Sequence, residues 1–392
     1  MKMLSVSTGP EWVNVRTSTA EIEAIVDQAE REATKVLLTA NNENLKQAVT
    51  DLLLAENLIV LCGLGTSLGK PPERLGPTMV ELWDEAERCA AAKFDKIKAA
   101  VNYDFATFGK NIELLLSHCQ MSEALKPQTL ITDFVKDSEK IIVEKCRFVS
   151  DTSALNVHEA FLRKVARRST RQPRMKLFTT NYDICFEHAA SSNRFVVIDG
   201  FSHTQPQRFD GSYFGYDLVR RESERTSPDY IQNVFHLYKL HGSVDWKIEG
   251  SEIIKDSKAE KPLIIYPRFS KFESSYGQPF LESMSRFQSF LRQPNTGLLA
   301  IGSGFNDSHI TQPVLAAISA NVSLKVIILG PELEQKLNPA IKHMTAAIKA
   351  GDWRISLVNG FFSEFVEAVP DLVQVLEAEQ HEQRTRVAGS SQ

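Results

Sequence analysis

Short, unbroken runs of apolar, often β-branched residues restrict the folding of this chain more than any other feature of its sequence. The first, Leu58-Ile59-Val60-Leu61-Cys62, runs straight into Gly63-Leu64-Gly65-Thr66-Ser67. Comparable runs, each with at most one polar residue (Lys176, His236, Lys325 or Ser356), occupy 175–178, 195–198, 234–238, 263–266, 298–301, 324–328 and 355–358. An apolar run without polar alternation reads as a strand buried on both faces, the condition of a parallel sheet covered by helices on each side. Helical spacing separates many of these runs, so the expected fold is α/β, a doubly wound and mostly parallel sheet.

Outside the sheet pattern, residues 18–54 place Ile22, Ile25, Val26, Ala29, Ala33, Val36 and Leu37 at helical spacing among many charges. This reads as an amphipathic helix, broken near Asn41-Asn42, within an N-terminal helical segment spanning 1–54. A domain over 55–378 follows. Inside it, 78–150 is helical, with Phe105, Phe108, Ile112, Leu115 and Leu116, then Ile131, Phe134 and Val135, and it carries no strand. It reads as a helical insertion or second module. The stretches 202–229 and 249–261 read as surface loops, and the polar tail 379–392 is expected to fray.

Of 392 residues 43% are hydrophobic, ample for a core, and the net charge of -4 argues against a protein that chiefly grips phosphate backbones. Direct nucleic-acid binding is not expected. The local run Arg163-Lys164-Val165-Ala166-Arg167-Arg168, continuing to Arg171 and Arg174, reads as a solvated helix face. No apolar stretch reaches membrane-spanning length, and the first residues lead into polar sequence rather than a secretory core, so a cytoplasmic protein is expected. The cysteines (Cys62, Cys89, Cys119, Cys146, Cys185) are odd in number and widely spaced, which favours buried thiols over disulfides or a Cys-x-x-Cys zinc site.

Chemistry concentrates where the runs end. The Gly63–Ser67 turn is not a P-loop, because the spacing back from Gly69-Lys70 lands on Leu64 and Pro71 stands at the hydroxyl position. It also misses the dinucleotide fingerprint, since Leu68 occupies the third glycine position. Bare backbone at Gly63 and Gly65, with the hydroxyls of Thr66 and Ser67, still suits close approach to a pyrophosphate. Four further segments accompany it: Thr179-Thr180-Asn181-Tyr182-Asp183, Lys239-Leu240-His241-Gly242-Ser243, Gly302-Ser303-Gly304-Phe305-Asn306-Asp307 and Leu329-Gly330. Each would lie near the carboxyl end of a strand, where open α/β sheets bind ligands.

In this order, the segments resemble the sirtuin family, whose marks are a Gly-Ala-Gly-x-Ser turn, a Gln/Thr-Asn-x-Asp segment, a His-Gly segment and a Gly-x-Ser turn. The resemblance covers roughly 55–370 without the helical insertion. Two departures narrow it. The zinc-binding tetracysteine of deacetylating sirtuins is absent, and Gly69-Lys70-Pro71-Pro72-Glu73 stands where the family has Asp-Phe-Arg. The chain is thus more similar to the sirtuin-like effectors of bacterial antiphage systems, which hydrolyse NAD to ADP-ribose and nicotinamide, than to deacylases.

The resemblance implies NAD as substrate, no zinc, and a HerA-type hexameric ATPase as the partner; a homo-oligomer is expected because the 18–54 stretch and the 78–150 insertion offer apolar faces beyond the needs of the sheet. It makes Asn181 and His241 the catalytic pair, Asp183 a neighbour of the nicotinamide carboxamide, and Gly63, Gly65, Thr66 and Ser67 neighbours of the pyrophosphate. Gly302, Ser303, Asn306 and Gly330 fall to the adenosine side. The chemistry of the residues agrees: an imidazole titrates near neutrality and can take a proton from water, and a neutral amide can orient that water.

Plainer readings stand beside these. Asn306-Asp307 and Asp183 each precede a helical pattern and suit helix N-caps. His241 alone would be a core histidine, while His188 and Cys185 read as packing. A protein that binds NAD or ADP-ribose without cleaving it, a sensor or assembly subunit, is the alternative of a different class.

Overall fold

In the computed structural model, which describes residues 1–17, 19–70, 73–221, 229–266, 277–335 and 338–372, the apolar runs form the centre of one nine-stranded sheet. Its strands are β1 (Lys2–Ser5), β2 (Gly9–Asn14), β3 (Asn57–Cys62), β4 (Lys176–Thr179), β5 (Val196–Ile198), β6 (Val234–Lys239), β7 (Thr296–Ile301), β8 (Lys325–Gly330) and β9 (Ile355–Asn359). They lie in the order β2-β1-β9-β8-β7-β3-β4-β6-β5. From β9 to β5 every pairing is parallel. β1 is antiparallel to β9, and β2 to β1.

Side chains of β3 explain the unbroken apolar runs. Leu58, Val60 and Cys62 enter one core, Ile59 and Leu61 the other, and β7 and β8 divide in the same way. Helices supply both cores. On one face pack α1 (Gln28–Leu53), the later helix Cys185–Ser192 and Phe362–Ala368; on the other pack Phe280–Leu291, Ser308–Ala320 and Pro339–Lys349.

The insertion comprises α2 (Met79–Ala90), α3 (Ile112–Leu125) and α4 (Thr129–Cys146), with shorter helical turns between. It has a core of its own, in which Trp83 meets Phe94 edge-on at 5.2 Å. A capping box starts α2: the Thr78 hydroxyl accepts from the Glu81 N–H at 3.1 Å, and the Glu81 carboxylate accepts from the Thr78 N–H at 2.7 Å. The helices just described are completed by α5 (Cys185–Ser192), α6 (Phe280–Leu291), α7 (Ser308–Ala320), α8 (Pro339–Lys349) and α9 (Phe362–Ala368).

Chain order fixes where a ligand crevice opens. From β3 the chain moves outward through β4, β5 and β6, then returns to the opposite side of β3 at β7. The reversal lies between β3 and β7, and open sheets of this kind bind ligands beyond the strand ends at such a point.

Several expectations need correction. Residues 2–14 are not part of a helical segment but two strands, β2 at the sheet edge and β1 between it and β9; such short, half-polar strands lack the apolar signature of the central ones. α1 is unbroken across Asn41, which is buried and donates to the Asn14 carbonyl at 3.0 Å. Residues 263–266 do not join the sheet: Ile264 bridges Gly242, and the 249–261 stretch holds half of a hairpin pairing Trp246–Glu249 with Glu252–Lys255. Cys89 is exposed, unlike Cys62, Cys119 and Cys185.

The basic run is solvated only in part, at Arg163 and Arg171. Arg167, Arg168 and Arg174 are buried. The Arg168 guanidinium donates to the carbonyls of Ala55 and Glu56 just past α1, and Lys164 Nζ donates to those of Val366 and Val369 at the end of α9. Arg174 is paired with Asp217 at 2.9 Å. The tail 379–392, the 222–228 part of the 202–229 loop, and Pro71-Pro72 lie outside the described residues.

Candidate functional site

The carboxyl ends of β3, β4, β6 and β7 surround a cavity of about 360 Å³. Gly63, Gly65 and Ser67 line it after β3, Asn181 and Asp183 after β4, His241 after β6, and Gly302, Ser303 and Asn306 after β7. The insertion forms the facing wall with Met79, Leu82, Glu113, Ile142 and Cys146. Thr66 turns inward, and Gly330 lines a smaller neighbouring cleft with Leu68 and Phe361.

Asn181 is the keystone of the floor. Its Nδ2 donates to the Gly63 carbonyl at 3.0 Å, to Thr66 Oγ1 at 3.1 Å and to Ser67 Oγ at 2.8 Å. A carbonyl only accepts, so the amide nitrogen must face the turn, and Oδ1 points the other way. Among the described residues Oδ1 accepts nothing from the protein. The chain of donors continues: Ser67 Oγ donates to Asp183 Oδ2 at 2.7 Å, and the other Asp183 oxygen accepts from the Cys185 N–H at 3.0 Å at the start of α5. Asp183 therefore binds the first N–H of α5 from the position before the N-cap, Ile184, while lining the cavity.

The two glycine turns touch. A Cβ built on Gly302, whose φ is +63°, would lie 2.5 Å from the Gly65 Cα, which leaves room for neither an L side chain nor its conformation. Their roles also differ. In the first turn the N–H groups of Gly63, Gly65, Thr66 and Ser67 all bond within the protein, to the carbonyls of Ile301, Gly302, Gly63 and Leu64. In the second, nothing among the described residues accepts from the N–H groups of Ser303 and Gly304. Leu64 is the exception in the first turn: its N–H, like those of Ser303 and Gly304, donates to nothing among the described residues.

Asn338, which the sequence reading passed over, holds that second turn. Its Nδ2 donates to the Phe305 carbonyl at 2.9 Å and to Asn306 Oδ1 at 3.0 Å, while its own Oδ1 caps α8 through the Ala340 N–H. Asp307 sits at the N-cap position of α7, yet its side chain makes no capping bond.

His241 is 3% exposed, and its Nε2 lies 2.8 Å from Nε2 of His309 in the first turn of α7. Gly242 follows with φ +81°, and a Cβ there would meet the Leu263 carbonyl at 2.1 Å. That turn lets the 263–265 segment clip against the strand end, where the Ile265 N–H donates to the His241 carbonyl at 2.8 Å. Beneath, the buried Lys239 ammonium donates to the Asp183 carbonyl and pairs with Glu187 at 3.0 Å, tying β6 to the Asn181 loop.

Burial sets the titration of the surrounding groups. It pushes the Cys146 thiol up to about 12, with the Asp183 charge adding, so no thiolate nucleophile exists there at neutral pH. It raises the Tyr182 phenol, whose hydroxyl donates to the Ile265 carbonyl at 2.6 Å. His158, stacked edge-on against Phe186 and Phe362, is lowered to about 4 by burial against the opposing pull of Asp183. Among the described residues no cluster of three or more His, Cys, Asp or Glu is placed to hold a metal, and no helix is long and apolar enough to cross a membrane.

Comparison with known proteins bears on this arrangement. Residues 175–343 match the family model of the SIR2-like domain, a span holding Asn181, Asp183, His241 and the Gly302 turn but neither the Gly63 turn nor the insertion. No curated protein matches the chain. Among solved structures, one described as "Structural Basis for the Mechanism and Regulation of Sir2 Enzymes" is similar at a TM-score of 0.38 and 12% identity, over 84% of this chain and 97% of that one.

Proposed function

We propose that this chain, SIR2-like over residues 175–343, hydrolyses NAD+ to ADP-ribose and nicotinamide. One observation carries the reading: Asn181 and His241, delivered by adjacent strands, line a single cavity together with both glycine turns at the reversal point of the sheet. In the reaction the C1′–N bond breaks, its electron pair leaves with nicotinamide, water attacks C1′, and one proton is released. His241 takes that proton, and the unengaged Oδ1 of Asn181 orients the water or a ribose hydroxyl.

The charge of the wall favours the nicotinamide end, the cationic part of this substrate. Glu113, Asp183 and Asp307 line the cavity, and no lysine or arginine does so among the described residues. Carboxylates favour a cationic nicotinamide ring and the oxocarbenium-like centre that follows it. The free N–H groups of Ser303 and Gly304 are the donors for a phosphate or the adenosine ribose, while Gly63 and Gly65 allow close approach.

The cellular setting we propose, from the resemblance of the motifs, is antiphage defence by NAD depletion, restrained by homo-oligomerisation or by a HerA-type ATPase. Val36 and Leu37 on α1 and Met121 and Leu125 on α3 are largely exposed, which is compatible with such assembly. Incubating the protein with NAD+ and measuring free nicotinamide tests the chemistry. His241→Ala is expected to lower release by roughly 10²–10⁴-fold. Binding without release would make the chain a sensor instead.

A further inference from the structure

The hydrolase reading assigns no task to His309, and the following inference rests on that reading. His309 is the second residue of α7, after β7, whereas His241 follows β6. β3 and β4 lie between those strands, so the two imidazoles are brought across about 14 Å of sheet by the loops above it. Their Nε2 atoms nevertheless lie 2.8 Å apart, with the rings inclined by 36°. At that separation a single hydrogen sits between them, and one ring must donate while the other accepts.

We propose that His309 is the positioning residue of His241, accepting its Nε2–H and so holding it in the tautomer whose Nδ1 keeps a lone pair. The direction follows from place. His309 lies in the first turn of α7, where the aligned peptide dipoles disfavour a positive charge, so it serves better as the neutral acceptor than as the cation. His241 then carries the charge when Nδ1 accepts the proton from water, and the hydrogen between the rings stays on its Nε2.

The same division of labour, a reacting imidazole and a partner that selects its tautomer, is what orients histidine in hydrolytic triads. Here the partner is neutral. It fixes geometry without the charge of a carboxylate, in a wall that already holds three.

Nitrogen-15 NMR of the histidine side chains, on the full chain, reads the tautomer without turnover. Wild-type His241 is expected as the Nε2–H form. His309→Ala should release it to a mixture, and His309→Gln, whose Oε1 can accept the same hydrogen, should restore it. In the nicotinamide assay, His309→Ala should lower kcat on the order of tenfold or more with KM unchanged, and His309→Gln should recover most of the loss. A His241 tautomer unmoved by His309→Ala in a folded protein overturns the proposal, as does failure of His309→Gln to restore either readout. A wild-type protein that holds the Nε2–H tautomer, lost in His309→Ala, but releases no nicotinamide sinks the hydrolase reading while supporting the pair.

Discussion

The two ends of the sheet use polar residues in opposite ways. At the carboxyl ends of the strands, Asn181, Asp183 and His241, the last backed by His309, converge on a cavity whose described wall has no lysine or arginine. At the amino ends, buried or half-buried cations are stapled to carbonyls: Arg168 to Ala55 and Glu56 beyond α1, Lys164 to Val366 and Val369 at the end of α9, and Arg354 to Ile318 and Asn321 at the end of α7. The helix dipole explains the division. Helices that follow a parallel strand start above the sheet and end below it, so N–H groups and partial positive charge gather at one end, carbonyls and partial negative charge at the other. Cations are useful below, whereas the upper end can bind an anionic group through backbone N–H alone.

If the upper end is the chemical one, disturbing the contact between the glycine turns should have the largest consequence. Gly302→Ala forces a side chain into a left-handed backbone against Gly65. It should cost roughly 3 kcal/mol of stability from strain and overpacking together, and abolish nicotinamide release, measured by denaturant melts alongside the assay. Normal release from this variant would break the comparison.

Acid should probe both ends at once. His158 near the Asp183 charge and His236 beside Lys176 are each lowered to about 4 by burial, His236 with help from the Lys176 charge. The unfolded chain protonates both near 6.5, so between about 6.5 and 4 it binds more protons than the native state. Stability is therefore expected to fall as the pH drops through that window and to level off below it, by a few kcal/mol, roughly, in all. His236→Leu should flatten the pH dependence of the melting temperature without altering NAD binding. An unchanged slope would show that the native structure does not keep this ring neutral.

The smallest effect belongs to the amino end alone. Arg168→Ala leaves the Ala55 and Glu56 carbonyls without their donor and should cost about 1–3 kcal/mol, while kcat and KM of the folded protein stay as they were. A change in KM would mean that the two ends are coupled.

Legibility in the sequence followed the same division. The parallel strands were readable because burial on both faces demands unbroken apolar runs, as at Leu58–Leu61. Strands β1 and β2 were not, since Met3 and Leu4 are the only consecutive large apolar residues there before Trp12. The upper-end residues were marked by glycine, asparagine and histidine directly after strands. The lower-end arginines were misread because charge density on a helical pattern usually signals solvent, and only the folded position of α1 reveals what Arg168 serves. His309 and Asn338 carried no local mark at all; each acts on a loop or ring from a distant strand, a relation that spacing along one chain does not encode.

The most direct test places the ligand. A crystal structure of the His241→Ala variant grown with NAD+ should show the nicotinamide ribose beside Asn181 Oδ1 and the emptied imidazole position, with a phosphate or the adenosine ribose on the Ser303 and Gly304 N–H groups. NAD+ bound with its glycosidic bond away from Asn181, or in a different cavity altogether, would contradict the assignment of these strand ends to one reaction.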